Sequence, residues 1–575
     1  MRKLLKYLKD YKKECVLAPL FKMLEAVFEL AVPVVIANMI DNGIRPHDSH
    51  VILRSFGILI VLAVVGLTVS CTAQFFAAKA ATGFAKHLRY DLFGHILSFG
   101  FSEIDNIGTS TLITRQTSDV NILQNGVNMF LRLFLRSPFI VAGALIMSFM
   151  IDIKSAAVFV AVILLLSAAV TFIMKNNIPL LKTVQKKLDD VLYLVRENLS
   201  GIRVIRAFTL EDGQIRGFKK TNEDLTRTQL RAGTVSALLN PLTYVLVNLG
   251  IVLLIYVGTI RVRSGALTSG QVVALYNYMS QILLELIKFA NLIIILNRTV
   301  ASASRVNEIF DTKAAMDVSG TEYPFDDNGA HSAIEFENVC LKYHELADEA
   351  ISNVSFTVEK GMTFGIIGGT GSGKTTVASL IPRFYDATGG SIKIFGKDIR
   401  SIDVAALRRC VGIVMQKSVL FEGSIRDNLK WANPSATDEE LLAAADAAVC
   451  RAVIEQKGGL DGRVESGGRN FSGGQRQRLC IARVLAGNFP VIIFDDSSSA
   501  LDYMTDQTLR QNIRNLKYHP TVIIISQRSI SVADCDRILV MDDGSVVGNG
   551  THRELLDNCE IYKEIHSTHD AKEEG

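Results

Sequence analysis

The chain has 575 residues, of which 49% are apolar and 21% are charged, and its formal net charge is +3. This length predicts more than one domain, and the small net charge gives no support for nucleic acid as a partner. The apolar surplus lies in the N-terminal half, which predicts a membrane part followed by a water-exposed part. The eight cysteines include no CxxC pair and are expected to be reduced thiols.

Six apolar runs in the N-terminal half are long enough, or nearly so, to cross about 30 Å of hydrocarbon. They are Leu17–Asp41, Phe56–Ala78, Phe130–Ile151, Ala156–Met174, Pro241–Ile260 and Gln271–Ile295. The second and fourth connections are long, and their apolar residues recur at helical spacing. We therefore predict an all-α polytopic membrane domain with six helices, some of which continue beyond the membrane.

Lysine and arginine are concentrated in the fourth connection, between 175 and 231, and at the N-terminus MRKLLKYLKDYKKE. Positive connections remain on the cytoplasmic side of a membrane. The N-terminal apolar stretch has no small-residue cleavage site and is expected to be a retained helix rather than a signal peptide. The sequence thus predicts a multi-pass protein of the cell membrane with both termini in the cytoplasm.

Charged residues inside the apolar runs require an explanation, because a charge at mid-bilayer costs roughly 2.5–3.5 kcal/mol on insertion scales. Lys22, Glu25 and Glu29 share one helix face, and Glu285 and Lys288 are spaced to pair with each other. They are expected to face a wet cavity or one another, or else to lie where the helices leave the membrane. The candidate residues for a substrate cavity are Glu25, Glu29, Asn248, Gln281 and Glu285.

A P-loop pattern opens the C-terminal part, after a predicted linker at 311–332 and a predicted strand at Ile334–Val339. In FGIIGGTGSGKTT, Phe364–Thr376, a β-like run passes through glycines into a helical pattern. Glycines let backbone N–H groups approach phosphate oxygens, Lys374 would reach the β- and γ-phosphates, and Thr375 would hold Mg²⁺. The other predicted phosphate-binding residues are Gly368, Gly369, Thr370, Gly371, Ser372, Gly373 and Thr376.

Two further motifs follow the P-loop. In VIIFDDSSSALD, Val491–Asp502, a predicted buried strand ends at Asp495, which suits a magnesium ligand. FSGGQRQR, Phe471–Arg478, is a second glycine-rich nest that opens a helix. Two such nests about a hundred residues apart are odd for one nucleotide, but they are reasonable if the second serves a nucleotide held by another chain.

With these motifs in this order, the chain resembles an ABC exporter half-transporter over nearly its whole length. The resemblance implies a membrane domain at 1–310, a linker at 311–332 and an α/β P-loop NTPase domain at 333–575, which uses ATP and Mg²⁺. It implies that Tyr343 stacks on adenine, that Gln416 contacts magnesium, and that Asp502 belongs to the D-loop with Ser499, Ala500 and Leu501. The implied signature residues are Ser472, Gly473, Gly474 and Gln475. Thr111–Asn121 and Ala207–Phe218 resemble coupling segments.

The chain departs from the family at its hydrolytic positions. The catalytic glutamate is replaced by Asp496, and the switch histidine after the run TVIIIS is replaced by Gln527. A general base must lie within hydrogen-bond reach of the attacking water, and glutamine can donate a hydrogen bond but cannot carry charge. The resemblance therefore implies a nucleotide site that binds ATP and hydrolyses it poorly.

The resulting prediction is the degenerate-site subunit of a heterodimeric exporter, an ABC-type transport ATPase whose competent site needs a second half-transporter. The resemblance favours amphiphilic, drug-like or lipid-like cargo in contact with membrane lipid. Two alternatives remain open. One is a slow homodimeric exporter, and the other is an ATP-gated channel or regulatory subunit that binds nucleotide without pumping.

Overall fold

The structure is a computed structural model that describes residues 2–313, 316, 320–323, 331–344, 347–497 and 501–573. The chain forms two compact units, which we call the helical unit (Met1–Leu97 and Ser110–Asp311) and the α/β unit (Ser98–Thr109 and Thr312–Gly575). The predicted domain limits at 1–310, 311–332 and 333–575 stay a prediction. Much of the linker, and Ser499 and Ala500 of the predicted D-loop, lie outside the described residues.

Long helices build the helical unit. Numbered along the chain, the first eleven helices are α1 (Lys12–Met39), α2 (Ser49–Leu97), α3 (Phe101–Ile107), α4 (Thr109–Thr114), α5 (Val120–Leu133), α6 (Arg136–Ile151), α7 (Ile153–Ser200), α8 (Ile202–Ala207), α9 (Glu211–Ala237), α10 (Leu239–Arg263) and α11 (Ser269–Asp311). Short 3₁₀ or π segments cover Arg2–Tyr11, Ile40–Ile44 and Arg115–Asp119. All of these lie in the helical unit except α3 and the first residue of α4, Thr109.

Six helical stretches of the described chain are long and apolar enough to cross a membrane. They are Lys3–Ile44, Ser49–Leu97, Thr109–Ile151, Ile153–Ser200, Glu211–Arg263 and Ser269–Asp311. Each contains one of the six predicted runs, so the predicted membrane helices are confirmed. The 48 residues of α7 span about 72 Å at 1.5 Å per residue, far more than the hydrocarbon layer, so the predicted helical extensions are confirmed as well.

Strands form the centre of the α/β unit. They are β1 (Ser332–Leu341), β2 (Ile351–Glu359), β3 (Thr363–Gly368), β4 (Gly389–Ile394), β5 (Lys397–Asp398), β6 (Val411–Val414), β7 (Gly423–Ser424), β8 (Arg463–Val464), β9 (Val491–Asp495), β10 (Thr521–Ser526), β11 (Arg537–Asp542) and β12 (Ser545–Gly550). A six-stranded sheet has the order β12-β11-β3-β10-β9-β6, and an antiparallel sheet has the order β2-β1-β4-β5. In the larger sheet all neighbours are parallel except β11 and β12.

Helices cover this sheet. They are α12 (Lys374–Leu380), α13 (Val404–Cys410), α14 (Ile425–Lys430), α15 (Asp438–Ala447), α16 (Arg451–Gln456), α17 (Gly473–Leu485), α18 (Tyr503–Arg514), α19 (Ser529–Val532), α20 (His552–Asn558) and α21 (Glu560–Glu573), with a 3₁₀ turn at Ser466–Gly468. All five residues of β9 are buried, as a parallel strand covered on both faces requires. Phe336, Phe356 and Phe364 stack between the two sheets. The α/β P-loop fold predicted for this part of the chain is confirmed.

One predicted coupling segment, Thr111–Asn121, lies next to a short stretch that is part of the α/β unit, and its coupling role stays a prediction. Thr111–Asn121 belongs to the helical unit, whereas Ser98–Thr109 belongs to the α/β unit. Phe101, at the start of α3, stacks on Phe384 with 4.5 Å between ring centroids. This aromatic contact fixes the earlier segment to the α/β unit. The second predicted coupling segment, Ala207–Phe218, stays a prediction.

Candidate nucleotide-binding site

The predicted site residues are spread over the sequence but meet at one edge of the large sheet. Strands β3, β10, β9 and β6 are parallel neighbours in that order. The P-loop follows β3, Gln527 follows β10, Asp495 ends β9, and Gln416 lies two residues beyond β6. Ligands of open α/β sheets bind beyond the carboxyl ends of the strands, so the fold places these residues where a nucleotide would bind.

The P-loop has the backbone that a phosphate cradle needs. Gly371 and Gly373 have φ angles of +86° and +91°, a region that glycine enters without steric cost. Lys374 donates to the Gly369 carbonyl and, at 3.1 Å, to the hydroxyl of Ser372. Burial lowers the pKa of Lys374, although nearby aspartates oppose this shift. Incoming phosphate oxygens would offer this ammonium a stronger, charged set of acceptors.

Thr375 and Asp495 form the candidate magnesium site. The Thr375 hydroxyl donates to a carboxylate oxygen of Asp495 at 3.1 Å. Burial raises the pKa of Asp495, and the bond from Thr375 works against this shift. Hydroxyl, carboxylate and phosphate oxygens are the hard ligands that Mg²⁺ prefers. Thr375 and Asp495 therefore fit the ion and would hold it, and when bound it would supply positive charge that polarises the phosphate.

Asp496 points toward Gln416. The Gln416 side-chain amide donates to a carboxylate oxygen of Asp496 at 3.4 Å, and Asp496 has a φ of +46°. A positive φ at a non-glycine residue costs energy and is frequent at functional sites. Burial raises the pKa of Asp496, while the Gln416 bond and the charge of Arg528 lower it. The predicted hydrolytic acid therefore lies at the same sheet edge as the candidate magnesium site.

Gln527 reaches the P-loop directly. The Thr370 hydroxyl donates to the side-chain carbonyl oxygen of Gln527 at 3.4 Å. Gln527 follows β10, the strand between β3 and β9. The switch position is thus next to the loop that would hold the γ-phosphate, as the sequence predicts, but it carries an uncharged amide.

Tyr343 lies beside the P-loop helix. Its hydroxyl is 3.0 Å from the hydroxyl of Thr376 on α12, and its ring meets Tyr385 edge to face at 5.0 Å. The Tyr385 hydroxyl donates to Asp105 on α3 at 2.6 Å. Neither Tyr385 nor α3 was singled out from the sequence, since FYD and FSEID carry no phosphate-binding pattern. The predicted adenine-stacking ring is therefore connected by contacts to α3.

The signature residues cap their own helix. Ser472 is the N-cap of α17, the Gln475 backbone donates to its hydroxyl at 3.3 Å, and the Ser472 backbone donates to the Gln475 side chain at 3.0 Å. Gly473 and Gly474 follow in the first turn. Asp502 caps α18 in a similar way by accepting from the Thr505 backbone at 2.8 Å. These reciprocal bonds hold the start of the signature helix in one conformation.

A separate polar cluster lies in the helical unit, and its central residue was missed from the sequence. Arg136, at the start of α6, contacts Glu29 at 2.8 Å, Glu285 at 2.6 Å and Glu25 at 3.7 Å. Ser137 also donates to Glu285, at 2.7 Å. Only 7% of the Arg136 side chain is exposed. The three predicted cavity acids are therefore brought together by an arginine that they share.

Of the remaining predicted residues, Lys288 and Gln281 lie in this cluster, whereas Asn248 lies elsewhere in the helical unit. Lys288 contacts Glu285 at 2.8 Å, which confirms the predicted pair. Gln281 donates to the backbone of Glu29 and lines a cavity of about 270 Å³ together with Arg136, Glu285 and Lys288. Asn248 lies on α10, donates to the Tyr244 carbonyl at 2.8 Å and does not line this cavity.

Six membrane helices joined to a P-loop α/β domain with a signature helix define a membrane transporter subunit driven by nucleotide. Family comparison gives the same result. The profile described as "ABC transporter transmembrane region" matches residues 15–286, and the profile described as "ABC transporter" matches residues 351–499. The chain belongs to the ABC transporter family, with its membrane domain fused to a nucleotide-binding domain of the transport ATPase type.

Similar proteins cover 96–100% of the chain. The ABC transporter ATP-binding protein YfiB of Bacillus subtilis is 34% identical over 574 residues, which is 100% of this chain and 99% of that protein. Rv1273c of Mycobacterium tuberculosis is 32% identical over 565 residues, or 97% and 96% of the two chains. The structure of a bacterial Atm1-family ABC exporter with ATP bound has a TM-score of 0.79 at 22% identity, covering 96% of this chain and 97% of that one. The predicted half-transporter and its exporter fold are confirmed.

Proposed function

We propose that this chain is one subunit of a heterodimeric ABC exporter, that its own P-loop site holds Mg–ATP and hydrolyses it slowly, and that its signature helix completes a hydrolysing site on a partner. The observation that carries the proposal is Asp496 at the position of the family's catalytic glutamate, paired with Gln416 at 3.4 Å. Aspartate is shorter than glutamate by one C–C bond, about 1.5 Å. A misplacement of about 1 Å can slow a reaction about 100-fold.

The switch position supports the same conclusion. Gln527 contacts Thr370 through its side-chain carbonyl, so it is near enough to sense the γ-phosphate. Its amide cannot take up or relay a proton as histidine does. Binding groups (Lys374, Thr375 and Asp495) are present while both hydrolytic groups are altered, and this combination favours a site that retains its nucleotide.

Exposed apolar residues between α7 and α9 favour a second subunit. This segment follows the membrane-spanning range that ends at Ser200. Its side chains Val204, Phe208 and Leu210 are 58%, 71% and 50% exposed. Apolar side chains grouped in this way usually mark an interface. We propose that this segment, which overlaps the predicted coupling segment Ala207–Phe218, docks on the nucleotide-binding domain of the partner.

Two neighbouring cavities in the helical unit favour amphiphilic cargo. An apolar cavity of about 570 Å³ lies between α1 and α6, lined by residues such as Leu30, Val34 and Phe139. The polar cavity around Glu29 and Arg136 is lined by the same two helices and by α11. Together they offer space in the range of small-molecule sites, with an apolar part and a charged part. We propose drug-like or lipid-like molecules with one polar end as the cargo.

The proposed setting is the cell membrane, with both termini and the nucleotide-binding domain in the cytoplasm. Lysine and arginine between 175 and 231 support this orientation. The fusion of the membrane domain and the nucleotide-binding domain in one chain, in the arrangement of an exporter fold, favours export over import.

ATPase measurements on purified protein test the proposal. The chain alone is expected to show little ATPase activity, and activity should appear in the complex purified from its native membrane. In that complex Asp496→Ala should leave most turnover, whereas replacement of the partner's catalytic glutamate should abolish it. Native mass spectrometry would show two subunit types. Fast hydrolysis by the isolated chain, or a transporting complex with one subunit type, would contradict the heterodimer; downhill flux that needs only ATP binding would favour the gated channel.

A further inference from the structure

A polar cavity of about 320 Å³ lies in the α/β unit outside the nucleotide site. Thr363, the first residue of β3, forms part of its lining. The P-loop follows the other end of this strand, roughly 17 Å away at about 3.3 Å per residue. The cavity is therefore distinct from the site that holds ATP, and the proposed function leaves it without a role.

One wall of the cavity is a polar helix face. Gln507, Arg510, Gln511 and Arg514 of α18 line it, and their spacing of three, four and seven residues puts them on one side of the helix. The facing wall comes from the segment at the end of α19. It contributes Ser531, Asp534 and Cys535.

The two arginines differ in how their charges are compensated. Arg510 pairs with Asp506 at 3.1 Å and donates to the Ile530 carbonyl at 2.7 Å. Its side chain is only 13% exposed, and its Nε is buried without an acceptor in the described part of the chain.

Arg514 donates only to the backbone carbonyl of Asp534 among the contacts of the described residues, and no ion pair joins it to a described carboxylate. The lining thus contains two guanidinium groups and a single carboxylate, that of Asp534. That carboxylate is 72% exposed and lies 3.7 Å from Arg510. Counting Asp506, which pairs with Arg510 at 3.1 Å, two carboxylates face the two guanidinium groups, but neither forms an ion pair with Arg514, which therefore retains unused N–H donors toward the cavity.

We propose that this cavity binds a small organic or inorganic oxyanion, with the anionic group held by Arg514 and Arg510 and its other polar groups by Gln507 and Gln511. Guanidinium groups bind two oxygens of a carboxylate or a phosphate through paired hydrogen bonds, and the two amides supply donors and acceptors beside them. The volume is at the lower end of the range for small-molecule sites. Carboxylate and phosphate share this chemistry.

The position of the site gives the ligand a route to the nucleotide. Helix α18 begins directly after Asp502, its N-cap, and α19 begins two residues after Gln527. A ligand that contacts both walls connects the D-loop to the switch position. Binding of the ligand would then favour one conformation of those elements. The affinity of the P-loop site for nucleotide would change when the ligand is bound.

Thermal unfolding of the purified full-length chain tests the site. AMP-PNP and free Mg²⁺ are kept saturating, with total Mg²⁺ raised to offset its chelation by citrate, so that the probes do not compete at the P-loop, and NaCl is used to match ionic strength. The probes are citrate and inorganic phosphate at about 10 mM, and a bound probe is expected to raise the midpoint by about 2–4 °C. A rise with citrate alone identifies a carboxylate site, a rise with phosphate alone a phosphate site, and a rise with both a general oxyanion site.

Two variants make the assignment specific. Arg514→Gln should abolish the rise, whereas Arg409→Gln, which removes the same charge from an exposed position on α13, should keep it. Gln511→Ala, also at an exposed position, should reduce the rise in the unfolding midpoint. This variant replaces Arg514→Gln in the test if Arg514→Gln fails to fold. The proposal is overturned if neither probe shifts the wild-type midpoint at concentrations up to about 50 mM, or if all variants shift equally.

Discussion

The phenol oxygen of Tyr385 lies 2.6 Å from a carboxylate oxygen of Asp105, which joins α3 to the nucleotide-binding domain. Phe101 of the same helix stacks on Phe384 at 4.5 Å, and Tyr385 meets the ring of Tyr343 at 5.0 Å. Since Tyr343 is the proposed adenine-stacking residue, the contacts run from the nucleotide site to α3. A change at either end is expected to affect the other.

We expect Tyr385→Phe to loosen α3. The substitution removes one hydrogen bond to a charged group, worth about 1.5–3 kcal/mol when sheltered and less here because Asp105 is exposed. Amides of residues 101–107 should exchange their hydrogens roughly tenfold faster, which corresponds to about 1.4 kcal/mol. Hydrogen-exchange mass spectrometry measures this. Tyr323→Phe, at a tyrosine that is 62% exposed, is the matched control, and equal exchange in both variants would show that the bond does not hold the helix.

Features that depend on neighbouring residues can be predicted from the sequence, whereas features that depend on contacts between distant residues cannot. The membrane spans and the P-loop follow from local patterns, namely apolar runs and glycines that need positive φ. Arg136 was missed because its partners Glu29 and Glu285 are 107 and 149 positions away, and only tertiary packing joins them. The contact of Phe101 with Phe384 was missed for the same reason, since it cannot be read from either stretch alone.

Thr375→Val tests the magnesium site. Valine keeps the shape of the side chain but removes the hydroxyl, which donates to Asp495 at 3.1 Å and is the proposed magnesium ligand. The affinity for ATP in Mg²⁺ should fall by about tenfold or more, at about 1.4 kcal/mol per factor of ten. Affinity measured in EDTA should barely change, because the metal is then absent. Ser379→Ala, which removes an exposed hydroxyl from the same helix, should behave as wild type in both conditions.

Tyr343 should contribute to recognition of the base and not of the phosphates. Stacking of a base on an aromatic ring is worth about 1–3 kcal/mol, so Tyr343→Leu should weaken ATP binding by about 5- to 150-fold. Tyr343→Phe keeps the ring, loses only the contact with Thr376, and should bind nearly as wild type. Binding of tripolyphosphate, which has no base, should be equal in all three proteins. A loss of tripolyphosphate binding in the leucine variant would instead indicate a disturbed P-loop.

Arg136 is expected to be essential for the stability of the helical unit. Arg136→Met leaves Glu29 without its counter-ion and leaves Glu285 with Lys288 alone. Since Glu29 is 41% exposed and Glu285 keeps one partner, the loss is expected to be smaller than the roughly 3–5 kcal/mol of a fully uncompensated buried charge. The variant should aggregate or unfold at a clearly lower temperature in size-exclusion chromatography with heating. Adding Glu29→Gln and Glu285→Gln should recover part of the loss, because the repelling charges are then gone. Arg263→Met, at an exposed position on α10, should have little effect on stability. An equal loss of stability in that variant would show that the effect is not specific to Arg136.

His552 should make the protein less stable in acid. Its Nδ1 lies 2.7 Å from the Tyr562 hydroxyl. Burial lowers the pKa of His552, the charges of His566 and Arg553 lower it further, and Asp534 acts in the opposite direction. The unfolded chain takes up the proton near pH 6.5, whereas the folded chain takes it up only at lower pH. Stability is therefore lost as the pH falls from above 6.5 through the folded pKa, and the loss then levels off.

Substitution of His552 by asparagine should remove this part of the acid sensitivity. Asparagine can still exchange a hydrogen bond with a hydroxyl but does not titrate. The unfolding midpoint of the full-length chain should therefore fall less between about pH 7.5 and pH 5.5 in His552→Asn than in wild type. His331→Asn, which removes an exposed histidine, should retain the wild-type slope. If the two variants show the same slope, protonation of His552 is not coupled to folding, since only a group whose pKa differs between the folded and unfolded states can change stability with pH.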